Sequence, residues 1–76
     1  MLKVRLVGSE DFIEIELDSG DLTYENLLNV VCQELEISTD CVVKIRKLPN
    51  TLVRKDKDVK RLQQFQEIEI VTNLGS

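Results

Sequence analysis

Residues 2–6 read Leu-Lys-Val-Arg-Leu, and residues 67–71 read Glu-Ile-Glu-Ile-Val. Both stretches alternate apolar with charged side chains at a period of two, as do residues 13–17 and residues 43–46. Because successive side chains of a strand point to opposite faces of a sheet, this alternation is typical of half-buried β-strands. The charges are basic in residues 2–6 and 43–46 and acidic in residues 13–17 and 67–71. The sequence therefore predicts a sheet with one apolar and one charged face.

Between the second and third strands, the hydrophobic period changes to that of a helix. From Thr23 to about Glu36, apolar side chains recur at spacings of three and four residues, which predicts an amphipathic helix. Thr23 is the predicted N-cap, and Glu25 suits the positive end of the helix dipole. Residues 51–53 predict a short fourth strand, and the mixed charges of residues 54–58 predict a solvated loop.

The end of the chain completes one small domain. Val59, Leu62 and Phe65 repeat at three-residue spacing, which predicts one helical turn before the last strand. Residues 1–73 are predicted to form the domain and residues 74–76 a tail, with Gly75-Ser76 open to interpretation as native or as a cloning remnant. The predicted core consists of Leu2, Val4, Leu6, Ile13, Ile15, Leu17, Leu27, Val31, Leu35, Val43, Ile45, Leu52, Leu62, Ile68 and Ile70.

The order of these elements resembles the ubiquitin-like β-grasp fold over essentially the whole chain. Thr-x-Glu-Asn at residues 23–26 and Ile-x-Ile-x-Leu at residues 13–17 are similar to the same segments of ubiquitin, and residues 67–71 stand where ubiquitin has its last strand. The resemblance implies an α+β fold in which one helix packs across one face of a mixed sheet of order 2-1-5-3-4. In that order, outward charges on neighbouring strands always have opposite sign, which favours the pairing.

A more specific resemblance concerns longer strings of residues. Residues 11–17, residues 44–52 and residues 54–59 are similar to the C-terminal region of the ankyrin repeat domain-containing protein 40 family. This resemblance implies a ubiquitin-like module of a larger ankyrin-repeat protein that is built for interaction.

The composition offers little for chemistry. The chain has no histidine, and its two cysteines, Cys32 and Cys41, are too few for a disulfide framework or a zinc site. We interpret them as thiols of a reducing compartment. Since no apolar run is long enough for a membrane span or a signal peptide, we expect an intracellular protein without a membrane contact. Because no set of residues indicates chemistry, we also expect that it is not an enzyme and uses no cofactor or metal.

Charge is distributed unevenly along the chain, whose net charge is −4. Residues 1–40 carry two basic and ten acidic side chains, whereas residues 41–76 carry eight basic and four acidic ones. The basic half predicts a contact with an acidic peptide or protein surface, and the alternative is a solvated surface without a ligand. Nucleic acid is not expected, because residues 44–61 contain no aromatic side chain on which bases could stack. The candidate partner-binding residues are Lys44, Arg46, Lys47, Arg54, Lys55, Phe12 and Val71.

Several functions known for this fold are weighed against the residues. Lys44 disfavours recognition by the apolar surface of a ubiquitin receptor, and the acidic second strand disfavours binding to a Ras-type GTPase. Phe12 is predicted to face outward, either as an anchor for a partner or lying over the hairpin. The sequence thus favours a monomeric, non-catalytic protein-interaction module. The alternatives are a small modifier or carrier that uses Gly75, and a domain that self-associates head to tail.

Overall fold

A computed structural model describes residues 1–73 of the chain, so the predicted tail at residues 74–76 lies outside the described residues. The predicted strands and helix are present, with small differences in their ends. A single 3₁₀ turn, Thr39–Cys41, leads from the long helix into the third strand. The elements are β1 (Leu2–Leu6), β2 (Ile13–Ile15), α1 (Tyr24–Leu35), β3 (Val42–Lys47), β4 (Thr51–Val53), α2 (Asp56–Lys60) and β5 (Gln66–Thr72).

The five strands form one sheet of order β2-β1-β5-β3-β4, which confirms the predicted topology. β1 and β5 pair in parallel, and the other neighbours are antiparallel. Lys3 lies between Glu14 of β2 and Glu67 of β5. In the next row, Glu69 of β5 lies between Arg5 and Arg46. Neighbouring strands therefore place opposite charges side by side in both rows.

The long helix begins and ends as its sequence predicts. The backbone N–H of Asn26 donates to the Thr23 hydroxyl at 3.1 Å, so Thr23 is the N-cap. At the other end, Glu36 adopts a left-handed conformation with φ of 59°. The N–H of Ile37 then donates to the carbonyl of Cys32 at 2.9 Å. These contacts satisfy backbone groups that the ends of a helix leave unpaired.

The prediction of a structureless charged loop at residues 54–58 is wrong, because α2 begins inside it. The carboxylate of Asp58 accepts hydrogen bonds from the backbone N–H groups of Arg54 and Lys55, at 3.1 and 3.2 Å. Asp56 accepts one from the N–H of Tyr24 at 2.8 Å and so ties the start of α2 to the start of α1. Two aspartates thereby order a run of charges that shows no hydrophobic period.

The spacing of Val59, Leu62 and Phe65 predicts one helical turn, and the structure differs at its last member. Val59 is buried in α2, and Leu62 packs against the core just after it. Phe65 instead has φ of 61° and donates its N–H to the carbonyl of Met1 at 2.7 Å. Its side chain is half exposed, because the chain has already turned to enter β5.

One apolar cluster lies between the sheet and α1, and two predicted members of it are wrong. Val43 is 61% exposed because the pairing of β3 with β5 shifts register between residues 42 and 44, which turns Val42 inward instead. Leu52 is 45% exposed because Val53, not Leu52, pairs with Ile45. The buried apolar residues are Leu2, Val4, Ile15, Leu27, Val31, Cys32, Ile45, Val53, Val59, Ile68 and Ile70.

Ile70 and Leu52 have isomeric side chains, so truncating each to alanine compares a buried position with an exposed one. Ile70→Ala should lower the free energy of unfolding by about 2–5 kcal/mol, because Ile70 is fully buried. Leu52→Ala removes the same number of carbon atoms from an exposed site and should cost within about 0.5 kcal/mol. Urea unfolding followed by far-ultraviolet circular dichroism measures both values. Equal losses for the two variants would contradict the placement of Leu52 outside the core.

The cap at Asp58 predicts a dependence of stability on pH. Backbone hydrogen bonds, first from Arg54 and then from Lys55, hold the pKa of the Asp58 carboxyl below its ordinary value. The ionised cap should therefore stabilise the fold fully above about pH 4, the ordinary pKa of aspartate, and lose its effect as the pH falls below it.

The test compares the wild type with Asp58→Asn by urea unfolding at several pH values. We expect the wild type to be more stable at pH 7 and the difference to shrink below pH 4. Asp11→Asn is the control, since Asp11 is exposed and caps no helix. A difference for Asp58→Asn that stays constant from pH 7 to pH 2.5 would contradict the role of the carboxylate.

Candidate functional site

The candidate site is the outer face of the sheet, defined as the face opposite α1. Both helices direct their buried side chains into the core cluster on the other side, so within residues 1–73 neither helix covers the outer face. One row of side chains crosses this face from β2 to β4. We call it the central row, and its members in spatial order are Phe12, Arg5, Glu69, Arg46 and Leu52.

Glu69 is the one charged residue in residues 1–73 that is buried, with 6% of its surface exposed. Its Oε2 lies 3.3 Å from Nη2 of Arg5, and its Oε1 accepts a hydrogen bond from Nη2 of Arg46. A buried carboxylate needs such partners, because removal from water without them costs several kcal/mol. The pairing of β5 with both β1 and β3 supplies one arginine on each side. Glu69 therefore links the three central strands.

The two arginines are more exposed than Glu69, and each has a donor atom that makes no hydrogen bond. About 27% of the Arg5 side chain and 29% of the Arg46 side chain remain exposed. In both residues the Nε atom is buried and makes no hydrogen bond. The guanidinium carbon of Arg5 lies 4.8 Å from the centre of the Phe12 ring, a cation–π contact. Two cations around one anion leave this cluster with a net positive charge.

Apolar side chains surround the charged cluster. Leu52 lies beside Arg46 and is 45% exposed. Val7 follows β1, and its N–H donates to the carbonyl of Ile70 at 2.9 Å, so it continues the pairing with β5. Because alternate residues of a strand share a face, Val7 lies on the same face as Arg5. Val7 is 44% exposed. The outer face thus combines exposed apolar groups with partly exposed guanidinium groups.

The structure brings some of the predicted partner-binding residues together and separates others. Arg46 and Phe12 lie in the central row, and Val71 pairs with the exposed Lys44 in the neighbouring row. Lys47 is half-buried on the other side of the sheet, where it lines a shallow cavity with Val53 and Leu62. Arg54 and Lys55 are exposed in the segment that joins β4 to α2.

Sequence reasoning missed the special position of Glu69 and the part played by Arg5. The predicted strand order could have indicated this position, because it makes β5 the central strand of the sheet. In that order Glu69 has an arginine on both sides, whereas Glu67 lies between Lys3 and the turn after β3. Counting the register one residue at a time would have singled out Glu69.

Cys32 lacks the low pKa and the exposure that are typical of a reactive thiol. Burial raises the pKa of the Cys32 thiol, and the nearby Cys41 raises it further, so Cys32 stays protonated at neutral pH. Both cysteines are free. Across the described part of the chain, no group of three or more His, Cys, Asp or Glu side chains could hold a metal ion. In the same part, neither helix is long and apolar enough to cross a membrane.

Comparison with known proteins now adds to the geometry. The family model of the ANKRD40 ubiquitin-like domain matches residues 2–73. The chain belongs to this family. The match confirms both resemblances, to the ubiquitin-like fold and to the ankyrin repeat domain-containing protein 40 family. No solved structure matches the chain.

Curated relatives share most of the chain. Ankyrin repeat domain-containing protein 40 of Homo sapiens and that of Mus musculus are each 61% identical over 75 residues, which cover 93% of this chain. The chain spans about a fifth of their length, 20% and 21% respectively. An ANKRD40 C-terminal-like protein of Homo sapiens is 64% identical over 70 residues, 92% of this chain and 61% of that protein.

The two outward glutamates of β5 offer a matched test of the site. Glu69→Ala should lower the free energy of unfolding by about 1–3 kcal/mol, because it leaves two neighbouring guanidinium groups without their shared carboxylate. Glu67→Ala, an exposed position on the same face of the same strand, should cost within about 0.5 kcal/mol. Urea unfolding of both variants provides the comparison. A loss at Glu67 as large as that at Glu69 would show that the cluster has no special role.

Proposed function

We propose that this domain is a non-catalytic protein-interaction module of a larger intracellular protein of the ankyrin-repeat scaffold type. The observation that carries the proposal is the outer face itself. It leaves Val7 and Leu52 about half exposed beside two arginines whose side chains are more than a quarter exposed. Exposed apolar groups next to arginine are typical of the centre of protein interfaces, where arginine is enriched.

The family context supports the same function. The relatives that match the chain are named for their ankyrin repeats, and the matching region is about a fifth of their length. The free cysteines Cys32 and Cys41 favour a reducing, intracellular compartment.

The chemistry of the face also limits what kind of protein it binds. Arg46 and Glu69 occupy its centre, and a purely apolar partner surface would remove these charges from water without replacing their hydration. Lys44 in the neighbouring row adds a further exposed charge. The proposal is therefore an interface of mixed polarity, unlike the apolar contact that a ubiquitin receptor makes.

The test uses the domain immobilised for capture of proteins from a cell extract, with quantitative mass spectrometry. We expect wild type to capture specific partners that the variant Val7→Ser/Leu52→Ser loses. The matched control is Asn29→Ser/Gln33→Ser, two exposed positions one turn apart on α1, which should keep them. Circular dichroism establishes that all three proteins are folded.

Two results would overturn the proposal. Partners captured equally by the wild type and by the outer-face variant would move the interface elsewhere. Partners lost by the α1 variant and kept by the outer-face variant would assign binding to the helix.

A further inference from the structure

We propose that the half of the outer face formed by β5, β3 and β4 binds an extended acidic peptide segment with carboxylates at alternate positions. This inference rests on the proposed function and names the class of partner for the same face. It follows from the balance of charge, the partly exposed arginine side chains and the spacing of side chains along β3.

Charge on the outer face is balanced at one side and unbalanced at the other. Lys3 lies between Glu14 and Glu67, so the part near β2 has its own counter-charges. At the other side, Lys44 is exposed. Among residues 1–73, the two ion pairs are those that Arg5 and Arg46 make with Glu69. Arg54 follows directly after Val53, the partner of Ile45, which places it at the level of Lys44. Glu69 is already shared by Arg5 and Arg46, and among residues 1–73 neither Lys44 nor Arg54 has an ion pair, so a partner can supply carboxylates to this half.

The arginines have donors left for such carboxylates. A guanidinium group carries five N–H donors and binds a carboxylate best through two parallel hydrogen bonds. Arg46 and Arg5 each reach Glu69 through Nη2. More than a quarter of each arginine side chain is exposed, so a second carboxylate can approach the Nη atoms, whereas the buried Nε atoms are out of its reach.

The spacing of the basic groups fits an extended chain. Lys44 and Arg46 are two residues apart on β3, and alternate residues of a strand are about 6.6–6.8 Å apart along its axis. Alternate side chains of an extended peptide have the same separation, so a segment laid along β3 can place successive carboxylates over Lys44 and Arg46. Leu52 and Val71 flank these two residues and can pack against the methylene groups of the acidic side chains.

A long polyanion fits this face less well than a short acidic segment. Five acidic side chains gather at and around β2, at the opposite edge of the sheet, and would repel a nucleic acid that runs across the face. They are Glu10, Asp11, Glu14, Glu16 and Asp18. The phosphate backbone of nucleic acid extends well beyond one strand, whereas a peptide along β3 remains within the basic half.

The experiment titrates the ¹⁵N-labelled domain with a synthetic eight-residue peptide that alternates glutamate and threonine. A matched peptide carries glutamine at every glutamate position. We expect the acidic peptide to shift the backbone amide signals of Lys44, Arg46, Leu52 and Val71, and to bind about tenfold or more tightly than the glutamine peptide. Its affinity should fall as salt is raised.

Two charge-reversal variants locate the site. Lys44→Glu/Arg54→Glu should weaken binding of the acidic peptide by about tenfold or more. Lys57→Glu/Lys60→Glu changes the net charge by the same amount on α2 and should leave the affinity within about twofold, since these lysines lie away from β3. Both variants leave the Glu69 cluster intact, and circular dichroism establishes that both are folded.

Three results would overturn the inference. The acidic and glutamine peptides could bind equally, both variants could lose affinity equally, or a single-stranded oligonucleotide could bind this face more tightly than the peptide. If the peptide fails while Val7→Ser/Leu52→Ser still loses partners from extract, the acidic partner class is wrong and the interaction function stands. If the outer-face variant loses no partner, the proposed function itself fails.

Discussion

The carboxylate of Glu69 forms ion pairs with arginines of two neighbouring strands on the charged face of this sheet. It lies on β5, the last strand in the chain and the central one in the sheet, and meets Arg5 of the first strand and Arg46 of the third. The contact is coupled to the packing beneath it, because neighbouring residues Ile68 and Ile70 are fully buried. A slip of one residue in β5 would bring Glu69 into the core and expose the isoleucines. Register, core and outer surface therefore depend on the same alternation.

The same arrangement gives the outer face its character. Glu69 is fully engaged, yet each arginine retains exposed surface and an unpaired Nε atom. Phe12 covers Arg5 on one side, and Leu52 lies beside Arg46 on the other. Here the geometry is pre-organised, because the arginines are already held by Glu69 before any partner arrives.

Much of the fold could be predicted from the sequence because period and charge agree with each other. Thr23 as N-cap and the alternating rows follow from local patterns that the tertiary structure keeps, whereas the strand order is implied by the resemblance to the ubiquitin-like fold and agrees with the charges. Val43 and Leu52 were misplaced for tertiary reasons. A shift of register in β3 and the choice between two adjacent apolar residues in β4 leave no mark in the sequence. The helix at Asp56–Lys60 was missed because side-chain caps, rather than a hydrophobic period, define it.

The candidate site was predicted only in part. Lys44, Arg46, Phe12 and Val71 do lie on one face, but Lys47 faces the other side of the sheet. Double-mutant cycles on Arg46→Met with Glu69→Gln, and on Arg5→Met with Glu69→Gln, most directly test the central claim that one carboxylate links three strands. Denaturant unfolding should give a favourable coupling free energy of about 1–3 kcal/mol for each pair. Additivity within about 0.3 kcal/mol in both cycles would contradict it.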